Sequence, residues 1–139
     1  MSLFDSFSIS SSGMKAQRLW LDLISNNIAN INTTRTANGG PYRRQVPVFA
    51  QRLQETMENG IRECGVVVTR VTEDNSPPRM EYDPSHPDAN EQGFVAYPNI
   101  NIVNEMVNMM IASRAYEANA TVLESAKSMA LKALEIGRG

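Results

Sequence analysis

Four side chains of catalytic type fall close together in the sequence: Asp83, His86, Asp88 and Glu91. Carboxylates beside an imidazole can hold a hard or borderline metal ion. Pro84 and Pro87 interrupt the cluster, however, and an extended proline-bound stretch points successive side chains apart. The competing reading is a stiff connector. Cys64 is a second candidate. A thiol nucleophile needs a base, and His86 is the one imidazole in the chain. No nucleophile motif surrounds Cys64, so a structural cysteine is the simpler reading. Gly39-Gly40-Pro41 has neither the spacing of a phosphate loop nor its Lys-Ser/Thr. The Arg43-Arg44 pair is too short for a nucleic-acid patch, and it reads as charge on a strand edge that discourages mispairing.

Composition narrows the classes further. Thirteen basic and fifteen acidic side chains leave a net charge of -2, without the basic footprint that nucleic acid requires. A single cysteine excludes an intrachain disulfide and a cysteine-rich zinc site. Aromatics make up 6% of the chain, thin for a large cofactor pocket, so no cofactor and no small-molecule substrate are expected. No apolar run approaches the roughly 20 residues of a membrane span. Met1-Ser2-Leu3-Phe4-Asp5 lacks the basic start of a secretory signal. With 42% hydrophobic and 20% charged residues, the 139-residue chain has enough apolar content to fold.

The elements that must position these residues are mapped by the prolines. All seven lie between Pro41 and Pro98, so both ends are free to form long helices. The predicted class is α+β, mainly α: long N- and C-terminal helices form an elongated coiled-coil-like pair, with a small β-rich insert between them. The division is 1–34, 35–98 and 99–139. The first helix is predicted from about Leu3 to Ile31, opened by a Ser2/Asp5 capping box. Its apolar face is Ala16, Leu19, Trp20, Leu23, Ile24, Ile28 and Ile31. Ser10-Ser11-Ser12-Gly13 is poor helix material, which predicts weak first turns. Asn26, Asn27, Asn30 and Asn32 crowd its end, where a C-cap accounts for only one of them. Asn27 falls on the apolar face and reads as a buried polar residue that fixes register.

The insert is read as a strand at Arg44 to Gln54 with Val46, Val48 and Ala50 on one face, an Asn59-Gly60 turn, and a strand at Val66 to Thr72. Pro47 puts the first of these at a sheet edge. Short strands follow at Arg79 to Tyr82 and Gly93 to Tyr97. The last helix starts at an Asn99 or Asn101 cap and ends at Gly137. It carries two apolar stripes. One is Ile102, Met106, Met109, Tyr116, Ala120, Leu123, Ala130 and Leu134, broken by Lys127. The other is Val103, Val107, Ile111, Ala115, Ala118, Val122, Ala126, Met129, Ala133 and Ile136.

Lengths decide what two stripes mean. About 35 helical residues span roughly 52 Å, whereas a compact globule of this size is about 37 Å across. A first helix of about 29 residues covers roughly 43 Å of the other. Either the protein is an elongated two-helix stalk, or the spare stripe is buried against other subunits; the second is favoured, because an exposed stripe of that size is abnormal for a soluble monomer. Met106, Met109 and Met110 read equally as an adaptable partner surface and as simple core filling.

The run Asn26-Asn27-Ile28-Ala29-Asn30-Ile31-Asn32-Thr33, with Gly13-Met14, Ala16, Arg18 and Leu23 before it, resembles the N-terminal signature of the bacterial flagellar axial proteins of rod and hook. The similarity continues through Tyr82-Asp83-Pro84, His86-Pro87-Asp88-Ala89, Gly93-Phe94-Val95 and Pro98-Asn99-Ile100-Asn101. It extends through Glu105-Met106-Val107-Asn108-Met109-Met110 and Ser113-Arg114-Ala115-Tyr116-Glu117-Ala118-Asn119, a block similar to the proximal rod subunits of that family. Phe94 departs from the pattern, where tyrosine is as frequent.

The resemblance implies a structural subunit that assembles helically with copies of itself and with other rod and basal-body proteins. It also implies a drive shaft that transmits torque and encloses an export channel. The location would be the periplasmic part of the basal body, reached through the flagellar type III export apparatus without a cleaved signal. On that reading Leu19, Leu23, Ile28, Met106, Met109, Tyr116 and Leu123 are packing anchors, and Asn30, Asn32 and Thr33 shape the turn out of the first helix. The stretch Arg35 to Gly40 is expected to gain order from neighbouring subunits. The readings that compete are a small metal-dependent enzyme using Asp83, His86 and Asp88, and a free-standing coiled-coil adaptor.

Overall fold

The computed structural model describes the backbone of residues 3–56 and 60–138, and the side chains of 5–53 and 65–138. Ser2 of the expected capping box, Asn59 of the expected turn and the Cys64 side chain lie outside that description. The order is α1 (Leu3–Ala29), β1 (Gln45–Thr56), β2 (Gly60–Glu73), β3 (Arg79–Tyr82), β4 (Phe94–Tyr97) and α2 (Ile102–Gly137). Two long helices thus bracket two antiparallel two-stranded sheets, β1 with β2 and β3 with β4. The expected α+β class, mainly α, holds.

The helices run antiparallel. Asn27 bonds to Glu105, and Gly13 lies against Asn119. These two contacts are fourteen residues apart on each helix, which is two heptads of steady register. The α1-facing line of α2 reads Glu105, Met109, Ala112, Tyr116, Asn119, Leu123, Ala126 and Ala130, every one buried or half-buried. The spacing alternates four and three. The line takes Met109, Tyr116, Leu123 and Ala130 from the first expected stripe and Ala126 from the second. Its remaining places hold a charge, an amide and an alanine. Ile102, Met106 and Leu134 of the first stripe are exposed instead. Small and polar residues serve at this seam because α1 offers Gly13 in return, where the helices approach closely. A Cβ on Gly13 would lie 2.9 Å from Asn119 Nδ2. The Ser10–Gly13 stretch is therefore a close-approach surface within a continuous helix, where weak first turns were expected.

An adjoining side of α1 carries the β1–β2 ribbon. Pro47 is buried, and Phe49 meets Trp20 edge-on with ring centroids 5.7 Å apart. The face toward α1 is thus that of Pro47 and Phe49, while Val46, Val48 and Ala50 share the other. Val66 N donates to Ser12 Oγ at 3.1 Å. β2 runs longer than the expected Val66–Thr72 because it continues through Gly65. That glycine sits at φ +101° inside β2, next to a register irregularity, where a Cβ would collide with Ser12 Oγ. Leu23 and Ile24 complete the core of α1. Burying each such side chain contributes about 1.5–3 kcal/mol.

The helix ends have local causes. Asn101 caps α2: its side-chain oxygen accepts from Val103 N at 2.9 Å and Asn104 N at 3.2 Å. At the end of α1, Asn30 Nδ2 donates to Asn26 O at 2.9 Å, and Thr33 Oγ1 donates to Asn30 Oδ1 at 3.1 Å. Asn30 and Thr33 therefore shape this turn through their side chains, whereas Asn32 is exposed. Beyond it, Thr36 N donates to Gly40 O at 2.9 Å and Tyr42 N to Thr33 O at 3.0 Å. The 35–40 stretch thus forms a hydrogen-bonded turn within one chain.

Candidate assembly surface and the polar joint beneath it

A buried polar joint ties the two helices to the start of the ribbon. The Asn27 amide is 1% exposed and uses all of its hydrogen-bonding capacity. Its Nδ2 donates to Gln45 O at 2.9 Å and to Glu105 Oε2 at 3.1 Å. Its Oδ1 accepts from Gln45 N at 2.9 Å and from Tyr42 OH at 3.1 Å. Glu105, also 1% exposed, accepts from Arg44 Nε at 2.7 Å through its other oxygen. The carboxylate enters the interior because an opposite charge and an amide both meet it there.

Burial, with the negative charges of Glu73 and Glu105 nearby, raises the Tyr42 phenol above its ordinary 10.0, so it remains a donor at neutral pH. The expectation for Asn27 holds. That for Arg44 does not: this arginine is half of the buried ion pair, not a solvated edge charge. Sequence reasoning missed Tyr42, Arg44 and Glu105. The available signal was an acidic residue standing four residues before Met109 and one heptad before Ala112.

The 83–91 cluster is occupied with itself. Asp83 Oδ1 accepts from Ser85 Oγ at 2.6 Å and Ser85 N at 3.1 Å, which holds its carboxyl below the usual range. His86 Nδ1 accepts from Asp88 N at 3.0 Å. Asp88 takes Thr34 Oγ1 at 2.8 Å and Arg35 Nε at 3.4 Å. These bonds pin the loop to the turn that follows α1. Among the described residues no three His, Cys, Asp or Glu side chains converge as metal ligands. The geometry gives the metal reading no support.

The outward side of α2 is the large feature that remains. Three residues of this 36-residue helix are buried: Glu105, Ala112 and Ala126. Val103, Val107, Ile111, Val122, Met129 and Ile136 of the second expected stripe are all exposed, Val107 at 49% and Ile136 at 81%. The ten expected anchors divide between inside and outside. Leu23 is buried; Ile28, Asn30, Thr33, Met109, Tyr116 and Leu123 are half-buried; Leu19, Asn32 and Met106 face outward. No helix among the described residues is long and apolar enough to cross a membrane. An apolar helix side of this extent on an elongated two-helix stalk belongs to an assembling structural protein.

Comparison with known proteins agrees. Residues 7–35 match the model of the flagella basal body rod protein family, and residues 91–136 match that of the flagellar basal body rod FlgEFG protein C-terminal region. The matched segments hold most of α1 with its terminal turn and nearly all of α2. The class is that of the flagellar basal-body rod proteins, structural and not enzymatic.

Full-length relatives carry this one step further. The chain is 48% identical to the flagellar basal-body rod protein FlgC of Borreliella burgdorferi, over 100% of both chains. It is 41% identical to that of Bacillus subtilis and 39% identical to that of Salmonella typhimurium, each over 99% of this chain and 100% of the relative. The chain belongs to the flagellar basal-body rod protein FlgC family, and it is a structural subunit of the rod.

Proposed function

We propose that α1 and α2 pack side by side with the same helices of neighbouring rod subunits to form a tube around the export channel. The 35–98 insert then adds contacts beyond the helices. The observation that carries this reading is the outward apolar side of α2, which nothing within the chain covers among the described residues. Torque passes through such a shaft when interdigitated side chains resist slipping, so many moderate contacts serve better than one strong one. Leu19 and Met106 join the outward set, while Leu23, Met109, Tyr116 and Leu123 act indirectly by holding α1 and α2 as one unit.

The same reading gives the chain a periplasmic place in the basal body, other rod proteins as neighbours, and delivery by the flagellar type III export apparatus without signal cleavage. The test is Val107→Asp with Ile111→Asp, in a strain lacking its own copy of the gene. The expected result is a chain of unchanged helix content that is made and exported but yields no basal bodies. Normal motility with this double variant would overturn the proposal.

A further inference from the structure

Every asparagine of the chain is followed by a residue with a side chain, except at Asn38-Gly39 and Asn59-Gly60. The second pair lies outside the described residues. The first sits in the loop between α1 and β1. Three backbone bonds close that loop: Tyr42 N donates to Thr33 O at 3.0 Å, Thr36 N to Gly40 O at 2.9 Å, and Gly39 N to Thr36 O at 3.0 Å. Gly39 and Gly40 take φ +80° and +79°, which this tight reversal requires of them. Asn38, Gly39 and Gly40 are exposed, and a Cβ on either glycine would meet nothing within 4 Å. Packing therefore does not shield the pair. The hydrogen bonds of the turn do.

An asparagine before glycine can modify itself. The glycine amide nitrogen gives up its proton to base and attacks the asparagine Cγ. The N–Cγ bond forms, the Cγ–Nδ2 bond breaks, and ammonia leaves with a proton from water. The product is a cyclic imide. Water then adds to one of its two carbonyls and opens the ring, giving aspartate or isoaspartate. Glycine favours the attack, because no side chain crowds its nitrogen. The attack needs that nitrogen and Cγ in contact and in line. In the folded turn Gly39 N–H donates to Thr36 O, so the nitrogen keeps its proton and is directed at its acceptor instead of at Cγ.

We infer that Asn38-Gly39 is a self-modification site held in check by the fold: it deamidates while the chain is unfolded and is slowed once the 36–40 turn closes. The site thus records time spent unfolded. Two backbone bonds, Gly39 to Thr36 and Thr36 to Gly40, must open before the folded chain reacts. At the usual net contribution of such bonds, that slows the reaction about tenfold or more. Isoaspartate puts an extra carbon into the main chain between Thr36 and Gly40, so the two closing bonds no longer form together. The segments on either side carry structure. Thr34 and Arg35 hold Asp88, while Tyr42 and Arg44 belong to the buried joint. A marked chain therefore loosens where the insert is tied to the helices.

The test incubates the full-length chain at mildly alkaline pH, in native buffer and in urea. Mass spectrometry follows the peptides containing Asn38 and Asn59 separately. A short Asn-Gly peptide in both solutions corrects for the solvent. Conversion of Asn38 to aspartate and isoaspartate is expected in urea, about tenfold or more faster than in native buffer. Equal corrected rates overturn the inference, and so does an Asn38 that stays intact in urea. Thr36→Pro supplies a second readout, because it removes the donor to Gly40 O and leaves Asn38-Gly39 in place. With helix content intact, its rate in native buffer should rise toward the rate in urea. A rate unchanged from wild type contradicts the role given to the turn.

Discussion

Asn27 Nδ2 lies 3.1 Å from Glu105 Oε2, joining residues 78 positions apart in the sequence. Both groups are buried, and each depends on the other for its hydrogen bonding. Replacing Asn27 by Leu removes a donor from a buried carboxylate and strands the Gln45 amide pair. The expected loss is about 3 kcal/mol, the usual cost of leaving buried polar and charged groups partly unpartnered. Urea unfolding of the purified variant measures it. A loss within experimental error would show that water replaces the amide and that the joint contributes little.

Tyr42 links this joint to pH. Its phenol is raised above 10.0 in the folded chain, so the neutral form is favoured by folding. A raised pKa contributes stability below the unfolded value that fades as pH climbs through the folded one. Thermal stability is therefore expected to decline from about pH 10 upward. Tyr42→Phe removes the phenol, costs about 1 kcal/mol at neutral pH through the lost bond to Asn27, and flattens the alkaline decline. Equal alkaline slopes for wild type and variant would remove Tyr42 from the explanation.

Two glycines separate two kinds of constraint. Gly65 has φ +101° and no room for a Cβ beside Ser12, so Gly65→Ala is expected to cost about 1–3 kcal/mol. Gly13 is helical, and the atom its Cβ would meet is the side-chain end of Asn119, whose bond to Ala115 O would have to shift. Alanine gains about 1 kcal/mol of helix propensity there. Gly13→Ala should therefore fall near neutral. Thermal midpoints of the two variants, measured together, check the order; a reversal would mean that the helix contact is the tighter one.

Those glycines also show what the sequence could and could not reveal. Proline placement located both long helices, and the Asn101 cap and the bounds of β3 followed from local chemistry. The second strand was expected to begin at Val66, because nothing local marks Gly65 as a bulge inside a longer strand until α1 is packed against it. The α2 stripes were assigned on hydrophobicity alone. The true seam includes Glu105 and Asn119, which hydrophobicity ranks as surface residues. Arg44 looked like edge charge for the same reason: its partner lies 61 positions away. Local pattern located the elements, while the pairings between distant polar residues depended on tertiary contacts that no short window contains.

The 83–91 loop yields a prediction about metals. Asp83, His86 and Asp88 are already engaged by Ser85, by the Asp88 amide and by Thr34 with Arg35. Chelator treatment and added divalent cations should leave the thermal midpoint unchanged. His86→Ala should lower stability only slightly, by about 1 kcal/mol for one lost hydrogen bond. A midpoint that rises with zinc or calcium would reopen the loop as a binding site.

The central claim is that neighbouring subunits cover the outer side of α2. Thiol labelling of Val107→Cys, in a chain carrying Cys64→Ser, tests it most directly when free protein and isolated basal bodies are compared. Val107 is half exposed in the single chain, so the free protein should label readily. In basal bodies the same thiol should be protected until the rod is dissociated. Equally fast labelling in both would mean that this side faces solvent in the rod, and the account of how the subunit assembles would be wrong.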